Sequence, residues 1–279
     1  PGAAPPQRIQ WVEASGGEFN FVIPPGHRLL DGIARSFAAA GYNSGVLRIA
    51  GGAVFPLAYV LPALPQDRGH VAYFSARHET SSLVSLHAAA MTFGRRAGKP
   101  SIHCHAFWRE ENDVMAGGHV LADETTAATP IEVSAVGLAG ADFVVQEDEE
   151  TGFDLFAPMP GLAGDTTARH RVFALRMRPN QDLSEALEGF CREREIGNAH
   201  IQGGVGSIIG ANFSDGRVVR HHVTEIAIRS GTVFSHEDGR PEAEIDISLV
   251  DYTGACAHGR LARGKNPILI TMECIVIAS

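Results

Sequence analysis

Two stretches of the sequence decide the fold. One runs Phe21-Val-Ile-Pro-Pro-Gly-His-Arg-Leu-Leu-Asp-Gly-Ile33, and the other runs Leu175-Arg-Met-Arg-Pro-Asn-Gln-Asp-Leu-Ser-Glu-Ala-Leu187. Three positions repeat at a constant offset of 154 residues: Pro25, Leu29 and Ile33 correspond to Pro179, Leu183 and Leu187. After the proline in each stretch, the apolar residues take up helical spacing. Each stretch therefore predicts a strand, a turn and an amphipathic helix.

Later landmarks repeat in the same order, while their offset shrinks. The pair Gly51-Gly52 corresponds to Gly203-Gly204 at an offset of 152, and Gly98-Lys-Pro100 corresponds to Gly239-Arg-Pro241 at 141. A slowly shrinking offset is what loop deletions in a duplicated domain produce. The sequence therefore predicts two tandem domains, residues 1–160 and 161–279, with the boundary in the turn-rich stretch 158–164.

Each copy is predicted to contain the same elements. A strand leads into the amphipathic helix, and several strands with alternating apolar residues follow. In the first copy, Leu29, Ile33 and Phe37 mark the buried face of the helix, and Gly41 is the expected C-cap. One helix with many antiparallel strands is typical of the α+β class. We expect a mainly antiparallel sheet with one principal helix in each copy.

Composition excludes several classes of protein. The 279 residues are 44% hydrophobic and 20% charged, which is typical of a folded globular chain. The apolar runs are broken by prolines and are too short for a membrane-spanning helix. The net charge of −9 does not favour direct DNA binding, since binding to phosphates needs basic residues. The four cysteines are widely spaced and the first residues lack a secretion signal, so we expect free thiols and a cytoplasmic protein.

The landmarks together resemble the plants-and-prokaryotes conserved (PPC) domain. The resemblance rests on the order of the following motifs: Pro25-Gly-His-Arg-Leu29, Gly51-Gly52, Gly98-Lys-Pro100 before His103-Cys-His105, and Gly117-Gly-His-Val-Leu121. The second copy matches in Gly203-Gly-Val-Gly-Ser207 and Ser230-Gly-Thr-Val233. The chain is thus similar to a tandem PPC protein over almost its whole length.

The resemblance implies a fold, an assembly and two kinds of function. PPC domains are compact α+β domains that usually form trimers, so we expect a homo-oligomer of the fused pair. In plants, the domain stands beside AT-hooks in DNA-binding proteins. It also shares its fold with acetolactate decarboxylase and with a metal-dependent ester hydrolase, where histidines on equivalent strands hold zinc.

Three histidines in the first copy form a candidate metal site. His103 and His105 are two residues apart on a predicted strand, so their rings leave the same face. His119 on the next strand joins them if the connecting loop has an odd length, or if Gly117-Gly118 forms a bulge. Three imidazoles that leave one position open are typical of catalytic zinc. The sequence predicts one zinc ion per chain, held by His103, His105 and His119.

The second copy is predicted to have lost this site. At the same offsets, the three histidines correspond to Glu244, Asp246 and Gly259. Glutamate and aspartate are hard oxygen ligands, and glycine offers no ligand. His258 would substitute for the third histidine only if the strand register slipped.

Two functions fit the sequence. The first is a metal-dependent hydrolase or lyase acting on a small oxygenated substrate. The second is a non-catalytic protein, either one that binds DNA or a regulatory protein that binds a small molecule. No catalytic residue is assigned, since the sequence does not show whether Glu110, Glu111 or Glu124 faces the histidines.

Overall fold

The computed structural model describes residues 2–67, 69–111, 113–162 and 170–279. Within these residues the helices are α1 (Leu29–Ala39) and α2 (Leu183–Glu193). The strands of the first half are β1 (Ile9–Ile23), β2 (Gly45–Ile49), β3 (Ala53–Val54), β4 (Ala58–Val60), β5 (Pro62–Ala63), β6 (Tyr73–Phe74), β7 (His78–Glu79), β8 (Val84–Arg96), β9 (Lys99–Arg109), β10 (Met115–Val120), β11 (Ile131–Ala139), β12 (Ala141–Asp148) and β13 (Phe153–Pro160). Those of the second half are β14 (His170–Met177), β15 (Ala199–Ile208), β16 (Ala211–Asn212), β17 (Val218–Val219), β18 (Thr224–Ser235), β19 (Pro241–Asp251), β20 (Cys256–Arg260) and β21 (Ile268–Ala278).

The two helices confirm the predicted repeat. α1 buries Leu29, Ile33 and Phe37 on one face, as their spacing predicts. Gly41 follows its last turn with a φ of +82°, a conformation that glycine adopts without strain. Asp182 is the N-cap of α2, and its side chain accepts a hydrogen bond from the backbone N–H of Glu185 at 3.0 Å. Among the described residues, neither helix is long and apolar enough to cross a bilayer.

Most strands join one large, mainly antiparallel sheet. In the described part of the chain, 17 strands are connected by hydrogen bonds into this sheet. β1 belongs to both copies: residues 15–23 pair with β11, whereas residues 9–16 pair with β14 of the second copy. The α+β prediction is confirmed. The predicted boundary stretch 158–164 lies partly outside the described residues.

Each copy has its own apolar core, and the two copies pack against each other. One large cluster surrounds α1 and another surrounds α2. Three smaller clusters contain residues of both copies: one joins Val46 with Ile275, one joins Phe107 with Val205, and one joins Ala72 with Val223. The strands that carry the candidate site thus face the sheet of the second copy.

The second glycine pair lies in a different setting from the first. β2 ends at Ile49, before Gly51-Gly52, but β15 continues through Gly203 and Gly204 to Ile208. The two glycines have φ angles of +71° and +94°, and the register of β15 with β21 shifts beside them. A Cβ atom on Gly203 would lie 2.6 Å from the Cβ atom of Val46. Glycine at this position therefore lets the two copies approach closely.

Candidate metal centre

A single hairpin positions the three histidines. β9 and β10 are joined by residues 110–114, and the register runs unbroken from Met115 opposite Arg109 to His119 opposite His105. This loop has five residues. An odd number is needed to place His119 on the same face as the other two histidines, because side chains alternate between the two faces of a strand. His119 therefore lies on the same face as His103 and His105, and this register contains no bulge at Gly117-Gly118.

The structure brings the three predicted side chains together. The Nε2 atoms of His103 and His105 are 3.1 Å apart. One ring nitrogen from each of the three histidines lies within 4.8 Å of the others. The ring of His119 stacks on that of His103 with a centroid distance of 5.1 Å. His105 is only 2% exposed, so the cluster lies at the bottom of a cavity.

Two acceptors of the second copy hold the outer ring nitrogens. His103 Nδ1 lies 3.0 Å from Oε2 of Glu273, and His105 Nδ1 lies 2.8 Å from the carbonyl oxygen of Ile226. A carboxylate and a carbonyl accept hydrogen bonds, so in both rings Nδ1 carries the proton. The two Nε2 atoms therefore face each other, and a neutral ring presents a lone pair there.

Burial keeps two of the rings neutral. Burial and the neighbouring His103 lower the pKa of His119 to about 3. Burial also lowers the pKa of His105 well below its ordinary value, and the other two histidines add to this effect. The neutral imidazole is the form that binds metal ions. The rings of His105 and His119 can therefore each donate a lone pair to a metal ion.

A second carboxylate of the second copy lies beside the histidines. Glu225 Oε1 is 3.6 Å from Nε2 of His105, and burial raises the pKa of Glu225 to about 8. Three buried polar atoms of this cluster have no hydrogen-bond partner among the described residues: His119 Nδ1, Glu225 Oε2 and Glu273 Oε1. Unpaired buried polar atoms are costly, so this cluster has the capacity to bind a cation or a polar ligand.

Comparison with known families identifies the repeat. Residues 12–138 and 164–279 each match the Plants and Prokaryotes Conserved (PCC) domain, the family that the sequence landmarks resemble. The chain belongs to this family. The two separate matches confirm the tandem arrangement of the PPC protein.

Several solved structures are similar to about half of this PPC protein. A metal-containing protein from Archaeoglobus fulgidus is 18% identical, with 52% of this chain covering 96% of that one at a TM-score of 0.43. A plant- and prokaryote-conserved protein from Pyrococcus horikoshii is 16% identical, with 54% of this chain covering 97% of that one at a TM-score of 0.43. A Ralstonia eutropha protein named as a candidate DNA-binding protein is 19% identical, with 50% of this chain covering 90% of that one at a TM-score of 0.37. No curated protein matches the sequence significantly.

Sequence reasoning missed both carboxylates of the PPC protein's site. Glu273 is the one charged residue of β21, a strand whose other residues are apolar except Thr271. This was a usable signal, because a buried carboxylate needs a partner. The three glutamates considered from the sequence do not line the cavity. Glu124 instead accepts a hydrogen bond from Arg77 at 2.6 Å near the surface.

The corresponding hairpin of the second copy corrects one predicted equivalence. In β19 and β20, Asp246 pairs with Arg260, whereas Gly259 pairs with Ile247. In both hairpins five residues lie between the last two paired residues. The position of His119 therefore corresponds to Arg260, and the prediction of Gly259 was wrong by one residue. Arg260 donates a hydrogen bond to Glu244 at 2.6 Å. The second copy thus has an ion pair at this position.

His258 does not take the place of the third histidine. It pairs with Ser248 and its side chain is exposed. The register slip that would bring His258 opposite Asp246 does not occur in this hairpin.

Proposed function

We propose that this PPC protein binds one zinc ion through His103, His105 and His119, and that it acts as a hydrolase or lyase on an oxygenated substrate. The observation that carries the proposal is the distance of 3.1 Å between two Nε2 atoms whose rings both donate Nδ1–H elsewhere. Two Nε2 atoms at this distance share either a proton or a metal ion, and His119 supplies the third nitrogen of a metal site. Three imidazoles form the ligand set typical of catalytic zinc.

The donor set fits a metal with catalytic chemistry. When bound, zinc would supply a Lewis acid that polarises a substrate oxygen. Glu273 and the carbonyl of Ile226 hold the rings of His103 and His105 in orientation, as outer partners of metal ligands commonly do. Glu225 lines the same cavity and would accept a hydrogen bond from a hydroxyl group of the bound molecule.

The second copy has a defined part in this proposal. We place the division of the chain at residues 160 and 161, so that the histidines belong to the first domain and the two carboxylates to the second. The second domain would then complete the site of the first and bind no metal of its own. This arrangement gives a functional reason for keeping the duplicated copy.

The assembly and the partners of the chain are also proposals. A homo-oligomer follows from the resemblance, and size-exclusion chromatography with light scattering measures it directly; a strict monomer at high concentration would exclude it. A small molecule is the partner that the cavity favours. With a net charge of −9, the protein should pass through a heparin column at low salt.

Metal content measured by mass spectrometry tests the proposal. Tag-free wild-type protein should contain about one zinc ion per chain, and His103→Ala/His105→Ala should contain none. His87→Ala is the matched control, since His87 is exposed on the neighbouring strand β8. Absence of metal after incubation with excess zinc would contradict the proposal. Equal zinc in the double variant would place the ion elsewhere.

A further inference from the structure

The cavity above the histidines is larger than a metal site alone requires. Its volume is about 390 Å³, and residues of both copies line it. Pockets that bury drug-sized ligands begin at about 300 Å³. The cavity therefore has room for a molecule with a body as well as a metal-binding head.

The cavity has a buried end and an open end. The side chain of His105 is 2% exposed and that of His103 is 14% exposed, so exposure increases from His105 to His103 along β9. At the open end, Arg96 and Asp154 are 56% and 55% exposed and lie 3.5 Å apart. A ligand whose head reaches the histidines must therefore extend its body toward this charged mouth.

An apolar wall lies within the same cavity. Six of its lining residues pack together as one cluster contributed by both copies: Ala72, Phe153, Leu155, Val223, Leu269 and Ile270. Phe74 adds an aromatic edge, with its ring centroid 5.0 Å from that of His119. An apolar surface of this kind favours a ligand with an apolar body, because binding removes apolar surface from water. It offers few hydrogen-bond partners to a fully polar ligand.

We propose that the cavity binds a carbonyl or carboxyl compound with an apolar body, of the medium-chain acyl or aryl class. Its oxygen head lies at the three histidines, and its body lies on the apolar wall. The position of the head rests on the proposed function, because it requires the metal. The preference for an apolar body rests on the wall alone.

Calorimetric titration of the zinc-loaded protein with two hydroxamates tests the inference. Hexanohydroxamate should bind more than tenfold more tightly than acetohydroxamate, since each buried methylene group contributes up to about fourfold in affinity. Leu155→Glu places a charge on the wall at a half-buried position. In zinc-loaded protein it should lower the affinity for hexanohydroxamate at least tenfold and remove the preference for hexanohydroxamate over acetohydroxamate.

Two further variants complete the design. Met159→Glu is the matched control, because Met159 lies on the same strand β13, is 37% exposed and does not line the cavity. It should leave both affinities unchanged. If Leu155→Glu fails to fold, Leu155→Ala should still weaken hexanohydroxamate binding severalfold.

The outcomes separate this inference from the proposed function. Equal affinities of the two hydroxamates for zinc-loaded wild-type protein would overturn the inference and leave the metal site intact. If no zinc binds, the proposed function fails, and acetate and hexanoate are compared on the metal-free protein. Selective binding of hexanoate that Leu155→Glu abolishes would then support the wall, whereas equal or absent binding of the two acids would overturn it.

Discussion

Glu273 accepts a hydrogen bond from Nδ1 of His103 at 3.0 Å, across the interface between the two copies. The carboxylate belongs to β21 of the second copy and is fully buried, and the histidine belongs to β9 of the first. The copy without the three histidines therefore orients a candidate metal ligand of the other copy. A single copy would lack this contact.

Replacing the carboxylate should weaken metal binding without removing a ligand. Glu273→Gln keeps the size of the side chain but loses the charge that polarises the imidazole of His103. Loss of such an outer partner typically lowers metal affinity by about 10- to 100-fold. Competition between the protein and a chromophoric chelator for zinc measures this change.

Glu132 provides the control for this experiment. It occupies the corresponding position on β11 of the first copy. Glu132 follows the residue that pairs with Ile23, the last residue of β1. In the same way, Glu273 follows the residue that pairs with Met177, the last residue of β14. Glu132 is exposed, so Glu132→Gln should leave zinc affinity unchanged. Similar losses of zinc affinity in the two variants would show that the effect of Glu273→Gln does not arise from the contact between Glu273 and His103.

The parts of the fold that the sequence predicted are local ones. The strand, proline turn and helix at the start of each copy follow from spacing within about a dozen residues. The common face of His103, His105 and His119 also follows from local rules, because the side-chain period of a strand leaves only two choices. These features need no knowledge of distant contacts.

The parts that the sequence did not predict depend on long-range packing. Glu273 meets His103 only because the two copies pack face to face, and 170 residues separate them. The correspondence of Arg260 to His119 was missed because the offset between the two copies changes along the chain. The sequence alone does not show whether a deletion lies before or after a given residue. The pairing of the first half of β1 with β14 leaves no periodic signal, since both partners alternate like any strand.

Metal removal should lower thermal stability. A ligand that binds only the folded state at 100 times its dissociation constant adds about 2.7 kcal/mol to the free energy of unfolding. For a chain of this size, that corresponds to a rise of roughly 5–10 °C in the Tm. Calorimetry of chelator-treated protein with and without zinc measures the shift. His103→Ala/His105→Ala should show none, and an equal shift in that variant would indicate another zinc site.

Gly203→Ala should destabilise the packing of the two copies. The new Cβ atom would lie 2.6 Å from Cβ of Val46, and the residue has a φ of +71°. We expect a loss of more than about 2 kcal/mol in the free energy of unfolding measured in urea. Gly239→Ala is the control, since Gly239 has a φ of +79° but nothing within 4 Å of its Cβ position. Equal losses would assign the effect to backbone strain alone.

Asp148 should make the stability of the protein depend on pH in the acid range. Its carboxylate, only 4% exposed, lies 3.0 Å from Arg176 and 2.6 Å from Arg178. Burial would raise the pKa of Asp148, but the two guanidinium groups and a hydrogen bond from Thr151 outweigh it and lower the pKa. The stabilisation is therefore present above the unfolded pKa of about 3.9 and is lost as the pH falls through the lower folded pKa.

Urea denaturation of Asp148→Asn at pH 7 and pH 3 measures this contribution. At pH 7 the variant should be less stable than wild type by about 3 kcal/mol, because one partner of a buried ion pair is removed. At pH 3 the difference should be smaller, since Asp148 in the unfolded chain, with a pKa of about 3.9, is then largely protonated and folding must release that proton. Asp238→Asn is the control: Asp238 pairs with Arg240 at 2.6 Å on the surface, and its loss should change little at either pH. A difference between wild type and Asp148→Asn that stays constant from pH 7 to pH 3 would show that the effect of Asp148 is packing and not charge.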